Sequence, residues 1–421
     1  MVPDISTASS DHDSLCVAIH EDSGLWATIG IGAKQAWVNF ANPTKSLDKI
    51  EGLNQLEGRW VYHVLSYDLK NCIEDIKDRP GVKREMPISI TVDPEWVIRF
   101  RIDQNDRAFE ILQGHFTDQI QRCYEWMDNI RKAFKSDIVP KKDTTNTCLQ
   151  PTIQKTQYDN ALRRIHEHLQ RGDIYEVNYC QSFEGTFEIR DPFSLWIDLL
   201  RQSHAPFACY CKFRNWTMLC ASPERFLQRK GNVLISQPIK GTIRRGATPE
   251  EDETMRQQLL NSPKERSENV MIVDLVRNDL SRIAKKNTVR VRELFGAYRF
   301  KTVHHLISTI EAEIPSETNL IAILRATFPM GSMTGAPKVS AMQIAEQLEF
   351  LERGWYSGSL GFVSPEGDFD FNVIIRAIIA NSETKKVTCA VGGAITHASD
   401  IDQEYDETLL KASMLRASLT T

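Results

Sequence analysis

Stretches with β-sheet character follow one another along most of this chain and are joined by short turns. Three of them, "YEVNYCQSF", "FACYCKF" and "NVLISQPIKG", lie between residues 175 and 241. The helical patterns stand apart from them, with a pair between about 249 and 284 and a closing helix from about 401. Strict alternation of strand and helix is typical of a parallel sheet, so this order predicts an α/β (α+β) protein with antiparallel sheets and helices outside.

A polar segment at 136–154, "SDIVPKKDTTNTCLQPTIQ", contains two prolines and lacks a periodic apolar pattern. Such a segment is typical of a connector. It divides the sequence into an amino-terminal region, 1–140, and a longer region, 155–415. The longer region begins with a predicted helix whose apolar residues keep helical spacing up to Gly172.

Composition and charge exclude several classes of function. A hydrophobic fraction of 41% and a charged fraction of 25% are typical of a globular protein. The net charge of −5 leaves no basic face for nucleic acid. The most apolar stretch, "NVIIRAIIA", is interrupted by Arg376 and is much shorter than the roughly 20 apolar residues of a membrane span. We therefore expect no nucleic-acid partner and no membrane partner.

Cysteine usage and the amino terminus indicate the compartment. The nine cysteines are scattered without CxxC pairs, and an odd number argues against a disulfide framework. The first residues are polar and acidic, without the basic and apolar segments of a signal peptide. Both features predict a soluble, cytoplasmic protein with reduced thiols.

Two predicted helices carry carboxylates on one face. Glu265 has the spacing of a capping box with the serine three residues before it, which accounts for this residue without any function. Glu268 lies three residues further along the same face. In the closing helix Glu404 and Glu407 repeat this spacing, with Lys411 one turn beyond. Each face alone is typical of a solvated helix, whereas the two faces together, across a cleft, provide the oxygen ligands of an Mg²⁺ site.

Glycine-rich turns provide backbone that can bind an anion. "MGSMTGAPK" places Ser332 and its neighbouring glycines before a predicted helix, whose positive end favours an anion. "AVGGAIT" ends a strand at Gly392 and Gly393, where the chain can approach a ligand closely. Arg376 lies within an apolar strand pattern, so its charge requires a partner, which is either a substrate carboxylate or an internal salt bridge.

Three further ionisable groups lie in strand-like surroundings. Lys240, in "SQPIKGTIRRG", lies where an apolar run enters the protein, which is a poor place for a freely solvated charge. Glu224 follows a proline beside apolar residues, and partial burial raises the pKa of such a carboxyl toward that of a general acid. His305 is suited to acid–base chemistry near neutral pH, although a lone histidine in a strand is usually structural.

Eight segments, in this order, resemble the chorismate-utilising enzymes, a family that includes the anthranilate, aminodeoxychorismate, isochorismate and salicylate synthases. The segments are "SPERF", "PIKGT", "ENVMIVDLVRNDLSRI", "VHHLISTI", "GSMTGAPKVSAM", "YSGSLGF", "NVIIRA" and "EYDETLLKA". The earlier "SYDLK", at 66–70, is a weaker match. The resemblance implies an anthranilate synthase component I-like sandwich of two large antiparallel sheets packed at a steep angle with outer helices. It also implies that 1–140 and 155–415 form one intertwined unit.

The resemblance implies a metal site and a substrate site. The implied Mg²⁺ ligands are four carboxylates, direct for the first two and direct or water-mediated for the others: Glu268, Glu407, Glu265 and Glu404. The positions implied around chorismate and its carboxylates are Ser332, Tyr356, Arg376, Gly392, Gly393, Ala394 and Lys411, while Gly241 and Thr242 let the backbone approach the ligand.

Branches of the family differ in what they add to C2 of chorismate. Enzymes that add water have a lysine base where this chain has Glu176, so isochorismate and salicylate formation are disfavoured. The amine-adding branches usually have Gln at that place, so Glu176 departs from both patterns. Anthranilate synthases typically have "PIAGT" where this chain has "PIKGT", and aminodeoxychorismate synthases have the lysine. Glu224 matches the acid that protonates the departing C4 hydroxyl, and His305 matches a histidine that assists pyruvate loss in anthranilate synthases.

The resemblance therefore implies that Lys240 adds to C2 and that ammonia then displaces it, giving 4-amino-4-deoxychorismate for p-aminobenzoate and folate biosynthesis. Such a nucleophile must be neutral; burial and nearby cations lower the pKa of a lysine, whereas neighbouring carboxylates raise it. The sequence leaves open whether Lys240 bonds covalently or only stabilises charge.

The source of ammonia and two alternative functions complete the expectations. No glutaminase segment is recognisable in the chain, so a separate glutamine amidotransferase subunit is the expected source of ammonia. The alternatives are anthranilate synthase component I and a non-catalytic paralogue. Retention of all four carboxylates, Arg376 and Lys411 argues against the paralogue.

Overall fold

Two large antiparallel sheets lie at the centre of the protein. The structure is a computed structural model that describes residues 11–40, 47–50, 52–53, 58–76, 84–104, 108–114, 120–135 and 149–419. Within these ranges the strands are β1 (Asp11–Glu21), β2 (Leu25–Ala33), β3 (Gln35–Asn39), β4 (Val61–Leu65), β5 (Ser89–Asp93), β6 (Trp96–Arg101), β7 (Glu110–Gln113), β8 (Gln150–Pro151), β9 (Glu176–Thr186), β10 (Cys209–Phe213), β11 (Trp216–Cys220), β12 (Arg225–Lys230), β13 (Val233–Gln237), β14 (Ile239–Arg244), β15 (Arg290–Arg299), β16 (Val303–Glu313), β17 (Gly335–Ala336), β18 (Ser359–Val363), β19 (Phe369–Asn372), β20 (Ala377–Asn381) and β21 (Lys386–Thr396). The α-helices are α1 (Ile120–Lys135), α2 (Lys155–Arg171), α3 (Pro192–Ser203), α4 (Pro249–Asn261), α5 (Pro263–Ser281), α6 (Leu320–Thr327), α7 (Lys338–Leu348) and α8 (Ile401–Ser418). Short 3₁₀ helices span Leu47–Lys49, Tyr67–Cys72 and Gly331–Met333.

Strand order confirms the predicted antiparallel class. The first sheet has the order β17-β9-β21-β20-β11-β10-β1-β2-β6-β7, with β8 paired to β9. The second has the order β14-β16-β13-β12-β19-β18-β4-β5-β3, with β15 paired to β16. Long antiparallel registers dominate, and β9 pairs with β21 from Glu176 opposite Thr396 to Thr186 opposite Lys386.

Both sheets combine strands from the two sequence regions. In the first sheet β1 pairs with β10, and in the second β4 pairs with β18. Residues 136–148 of the predicted connector lie outside the described residues, and Leu149, directly after them, is buried. The boundary between 1–140 and 155–415 remains a prediction about sequence, since strands from either side of it are neighbours in the sheets.

Two of the crossovers between the sheets are neighbours. One joins β11 to β12 and contains Glu224, and the other joins β19 to β20 and contains Arg376. Their backbones are hydrogen-bonded, since Ala221 N donates to Arg376 O at 3.1 Å and Val373 N donates to Glu224 O at 3.0 Å. The crossovers therefore bring an acidic and a basic residue to the same place.

The apolar side chains form layers between and outside the sheets. The layer between the sheets includes Cys16, Tyr62, Val64, Ile90, Met218, Trp355 and Leu360. The outer face of the first sheet is covered by α1, α3 and α8 through Trp126, Trp196, Leu200 and Leu415, and α5 and α6 cover the second sheet through Ile272, Val276 and Leu324. Among the residues described, every helix is too short or too polar to span a bilayer.

Local sequence signals account for α2 and could have revealed α3. The buried face of α2 consists of the apolar residues with predicted helical spacing, Tyr158, Ala161, Leu162, Ile165 and Leu169. The helix ends at Gly172 with φ of 78°. The sequence analysis did not predict α3. Its signal is a cap, since the Asp191 side chain accepts from Ser194 N and Pro192 occupies the first turn.

Leu219 tests the contribution of the core. This β11 residue is 0% exposed and packs in the layer under α3. Leu219→Ala is expected to lower the free energy of unfolding by about 2–5 kcal/mol because it removes buried methyl groups and leaves a cavity. Leu410→Ala, at a position 72% exposed on α8, is the control and is expected to change it by less than about 0.5 kcal/mol. Chemical denaturation measures both, and equal values would contradict this assignment of the core.

Candidate active site

Elements from both sheets and two helices bring the predicted site residues together. Lys240 is the second residue of β14, the strand at the end of the second sheet. Its neighbour β16 carries His305, which lies opposite Thr242 in the register. Helix α5 packs against both strands, and α8 packs against β21 of the first sheet. The site therefore lies where the ends of the two sheets meet.

A buried ion pair joins Lys240 to Glu176, the first residue of β9 in the first sheet. Lys240 Nζ donates to Glu176 Oε1 at 2.6 Å, and the two side chains are 11% and 1% exposed. Burial lowers the pKa of Lys240, but the Glu176 carboxylate outweighs it and the pKa lies above its ordinary value. The sequence analysis named two opposing effects on this pKa, burial and neighbouring carboxylates, and the net effect is that of the carboxylates. The sequence analysis considered Glu176 only as the place of a missing lysine and missed this pairing.

The backbone of Lys240 is fixed by polar residues that the sequence analysis also missed. Asn269 Nδ2 donates to Lys240 O at 3.3 Å, and Ser308 Oγ donates to Asn269 Oδ1 at 2.6 Å. Asn269 follows Glu268 on α5, so one helix supplies both a predicted carboxylate and this support. An asparagine on a mostly apolar buried helix face is the signal that could have found it.

Glu224 has the properties of a general acid. It is buried in the first crossover, and burial raises its pKa to about 7, with Ser332, Lys240 and Arg376 opposing that rise. Glu224 and Ser332 line the same small pocket. The buried Ser332 hydroxyl lies beside the Glu224 carboxyl and lowers its pKa by hydrogen bonding.

His305 lies against Thr242 on β14. The Thr242 hydroxyl and His305 Nδ1 are 2.8 Å apart, and the pKa of His305 is lowered to about 3 by burial and by the Arg376 charge. The sequence analysis expected a group that titrates near neutral pH, and burial moves it away from that range. Its buried Nε2 has no hydrogen-bond partner in the described part of the chain. Near neutral pH the imidazole is therefore neutral, and its low pKa makes it a poor proton acceptor.

Arg376 lies in the second crossover, directly before β20 and not inside a strand as the sequence pattern predicted. Its φ of 52° is a left-handed conformation, because the chain turns sharply as it changes sheets. Burial lowers the pKa of Arg376, and the Glu224 charge opposes this. Among the described residues the guanidinium makes no ion pair, so the internal salt bridge considered from sequence is not formed. A ligand carboxylate is the partner that would suit it.

The two acidic helix faces lie at the same end of the sandwich. Ser262 caps α5 by accepting from Glu265 N at 3.4 Å, but its own N–H donates to Leu259 O, so the reciprocal half of the predicted capping box is not formed. Burial raises the pKa of Glu265 and raises that of Glu268 to about 7. The Glu407 charge on α8 further raises the pKa of Glu265, so the charges of the two acidic faces interact.

On α8 the two carboxylates have different surroundings. Burial raises the pKa of Glu404. For Glu407, the Lys411 ammonium outweighs burial and lowers the pKa, with Lys411 Nζ at 2.7 Å from Oε1. Lys411 Nζ also donates to Gly392 O at 2.9 Å. This lysine therefore ties α8 to β21.

The glycines of β14 and β21 keep the backbone close to the carboxylates. A Cβ at Gly241, whose φ is +100°, would lie 3.1 Å from Glu265 Oε2, and a Cβ at Gly393 would lie 3.0 Å from Glu404 Oε2. Side chains at either position would crowd the acidic faces. In β21, Gly392, Gly393 and Ala394 lie opposite Cys180, Tyr179 and Asn178 of β9.

Tyr356 is only 4% exposed. It packs in the core under the second sheet, beside Cys180 and Arg353. Since Cys180 is the cross-strand partner of Gly392, Tyr356 lies behind β21. The structure thus places it next to the predicted substrate strand.

The carboxylates fit Mg²⁺ by their chemistry. They are hard oxygen donors, and Mg²⁺ in proteins is often held by one or two carboxylates together with waters and an anionic substrate. Within the described ranges, no group of three or more metal-binding side chains is close enough to enclose a metal ion. The arrangement therefore suits a cation shared with a ligand and does not form a complete protein cage.

The raised pKa of Glu224 predicts a pH-dependent stability. A carboxyl that titrates near pH 7 when folded and near its ordinary value when unfolded stabilises the fold at low pH, and this contribution is lost as pH rises through about 7. Glu224→Gln removes it. Between about pH 5 and about pH 8 the free energy of unfolding of the variant, relative to the unchanged protein, is expected to rise by about 2–3 kcal/mol.

Chemical denaturation at the two pH values measures this difference. Glu188→Gln, at an exposed carboxylate after β9, is the control and should show no such rise. A pH-independent difference for Glu224→Gln would mean that Glu224 is ionised throughout.

Comparison with known proteins identifies a family and relatives to which this chain is similar. A family model described as chorismate binding enzyme matches residues 7–417. The chain is 35% identical over 352 residues to aminodeoxychorismate synthase component 1 of Klebsiella aerogenes, which covers 84% of this chain and 75% of that protein. It is 38% identical over 294 residues to the protein of the same name from Escherichia coli (strain K12), covering 69% of this chain and 64% of that protein.

A solved structure supports the fold. The crystal structure of anthranilate synthase component I from Streptococcus pneumoniae TIGR4 matches with a TM-score of 0.73 at 22% identity, covering 99% of this chain and 94% of that one. At this identity the match establishes the sandwich of two sheets and leaves the reaction to the site residues. From the family match over almost the whole chain, and from relatives more than 30% identical, this protein belongs to the family of chorismate binding enzymes.

Proposed function

We propose that this protein is the chorismate-aminating component of an aminodeoxychorismate synthase and converts chorismate and ammonia to 4-amino-4-deoxychorismate. The observation that carries the proposal is the position of Lys240. This lysine, in the "PIKGT" segment, is buried in the site, forms an ion pair with Glu176 and interacts with the charge of Glu224. The names of the relatives at 35% and 38% identity support it. The product serves p-aminobenzoate and folate biosynthesis.

Substrate carboxylates are met by positive charge and by hydrogen-bond donors. The Arg376 guanidinium is without an ion pair in the described residues and can bind a carboxylate through two parallel hydrogen bonds. The buried Ser332 hydroxyl and the Lys411 ammonium add donors. These residues orient the ring relative to Lys240.

Lys240 and Glu224 divide the chemistry between them. Lys240, once deprotonated, forms a bond from Nζ to C2 as the C4–O bond breaks, and Glu224 gives its proton to the leaving hydroxyl, which departs as water. A carboxyl with a pKa of about 7 is substantially protonated near neutral pH, as this step requires. Ammonia then bonds to C4 and Lys240 leaves C2, so the enolpyruvyl group is retained. None of these reaction steps requires the neutral imidazole of His305.

Mg²⁺ is proposed as the cofactor. Glu268 and Glu407 would hold it most directly, with Glu265 and Glu404 completing the set directly or through waters. When bound, Mg²⁺ would neutralise the charge of a substrate carboxylate and polarise that carboxylate. The support from the structure is a group of buried and half-buried carboxylates whose pKa values are raised, first by burial and then by the charges of other carboxylates, because a cation would stabilise their ionised forms.

Ammonia is proposed to come from a separate glutamine amidotransferase subunit. The relatives are named component 1, which implies a partner component for them. A separate lyase would release p-aminobenzoate.

Product analysis tests the reaction and the role of Lys240 together. With chorismate, Mg²⁺ and ammonium, the protein is expected to form aminodeoxychorismate; anthranilate with pyruvate would instead support the alternative reaction, and no turnover would support a non-catalytic paralogue.

Lys240→Ala should lower the rate by about 10²-fold or more, the scale for loss of a positioned catalytic group. Lys230→Ala, at an exposed lysine on β12, is the control and should keep the rate. Unchanged turnover in Lys240→Ala would exclude the nucleophile role.

The metal assignment is tested with Glu268→Gln. Removing one carboxylate should raise the Mg²⁺ concentration needed for half-maximal activity by about tenfold or more, since Mg²⁺ depends on few charged ligands. Asp274→Asn, at an exposed position on the same helix, is the matched control and should leave it unchanged. Calorimetric titration with Mg²⁺ in the presence of chorismate measures binding directly. Equal Mg²⁺ dependence in the two variants would remove Glu268 from the ligand set.

A further inference from the structure

The Glu176–Lys240 ion pair bridges the two sheets inside the site. Glu176 begins β9 of the first sheet and Lys240 lies near the start of β14 in the second, yet Nζ and Oε1 are 2.6 Å apart. Separating two buried ions is strongly unfavourable, because each would lose its partner without gaining water. The pair therefore fixes the amine at one place in the cleft.

Backbone pairing holds both partners in position. Glu176 lies between Ala336 of β17 and Thr396 of β21, and both pairings are antiparallel. On the other side, Asn269 from α5 donates to the carbonyl of Lys240. Neither side chain projects from a free loop, so the 2.6 Å contact follows from the fold itself.

The second carboxylate oxygen of Glu176 is left without a donor. Glu176 Oε2 is buried and has no hydrogen-bond partner among the described residues. Buried acceptors are nearly always satisfied, so Oε2 calls for a donor that the described residues do not supply. An ion pair with an open acceptor next to Lys240 belongs to the ligand site and is not only a structural contact.

The charged groups that face Lys240 come from several elements. Glu176 faces it from β9, Glu268 from α5 and Glu224 from the crossover before β12, and all three raise the pKa of Lys240 against the effect of burial. Only Glu176, of the described residues, forms an ion pair with the amine. Glu265 on α5 and Glu407 on α8 also interact with the charge of the amine. Among the carboxylates, Glu176 has the largest effect on the protonation of Lys240.

We propose that Glu176 is a positioning residue that holds Lys240 in place and as an ammonium ion while the site is empty, so that the lysine becomes a nucleophile only after a ligand has entered. This rests on the proposed function, since only an attacking lysine needs such control. A ligand that donates to Oε2, or a cation that binds the neighbouring carboxylates, weakens the hold of Glu176 on the amine. The cleft thus carries a device that keeps its nucleophile unreactive in the absence of substrate.

The test measures how much of Lys240 is unprotonated, with no substrate present. Acetylation by acetic anhydride is followed as a function of pH, and mass spectrometry quantifies the product at Lys240. Glu176→Gln keeps the shape of the side chain and removes its charge, so the midpoint of acetylation should move to lower pH by about one unit or more. Glu176→Asp keeps the charge but moves the carboxylate away from Lys240, because aspartate is one methylene shorter. The midpoint of acetylation should then move to lower pH by a smaller amount.

Glu184→Gln, further along β9 and near Lys386, is the matched control and should leave the midpoint at Lys240 unchanged. Thermal unfolding shows whether each variant is folded, and the Asp variant serves if the Gln variant is not. Identical acetylation of Lys240 in the unchanged protein and the folded Glu176 variants, including no acetylation in any, would overturn the proposal. Because acetylation needs no turnover, failure of the proposed function appears separately, as the wrong product or as full activity in Lys240→Ala.

Discussion

Two neighbouring crossovers between the sheets are the constraint on which the site depends. The chain changes sheets between β11 and β12 and again between β19 and β20, and two backbone hydrogen bonds hold these passages together. Glu224 and Arg376 lie in them, so neither has the freedom of a surface loop. The ends of β9 and β14, from different sheets, meet nearby through Glu176 and Lys240. A sandwich of antiparallel sheets creates this meeting point because strands at the same end of both sheets lie face to face.

Burial then determines the chemistry of the groups at this meeting point. It raises the pKa of Glu224 and Glu268 to about 7 and lowers that of His305 to about 3. For Lys240 a partner carboxylate reverses the effect of burial. The carboxylic acid can therefore donate a proton near neutral pH, whereas the amine must first be released from its partner. Such opposed environments for acid and nucleophile are what a reaction with both a departing hydroxyl and an entering amine requires.

Local patterns predicted the elements well where a cap or a periodic face was present. The spacing of apolar residues up to Gly172 predicted α2, and the serine before Pro263 marks the start of α5. The same reasoning missed α3, although Asp191 and Pro192 carry its signal, because strand-like residues surround it. It also placed Arg376 inside a strand, since an apolar run does not reveal where the backbone turns between sheets. The capping-box interpretation of Glu265 was half correct, because the neighbouring helix α4 takes the N–H of Ser262.

The sequence by itself determined the antiparallel class and the family resemblance, and it supplied the residues proposed to carry the chemistry, because these depend on residue type and short spacing. Only the tertiary structure decided which charges meet. Lys240 and Glu176 are 64 residues apart and lie in different sheets, so no periodicity relates them. The tertiary structure also decided that Arg376 has no ion pair in the described residues and that the imidazole of His305 is neutral. The physical reason is that burial and partner charge, which set protonation, are properties of surroundings assembled from distant parts of the chain.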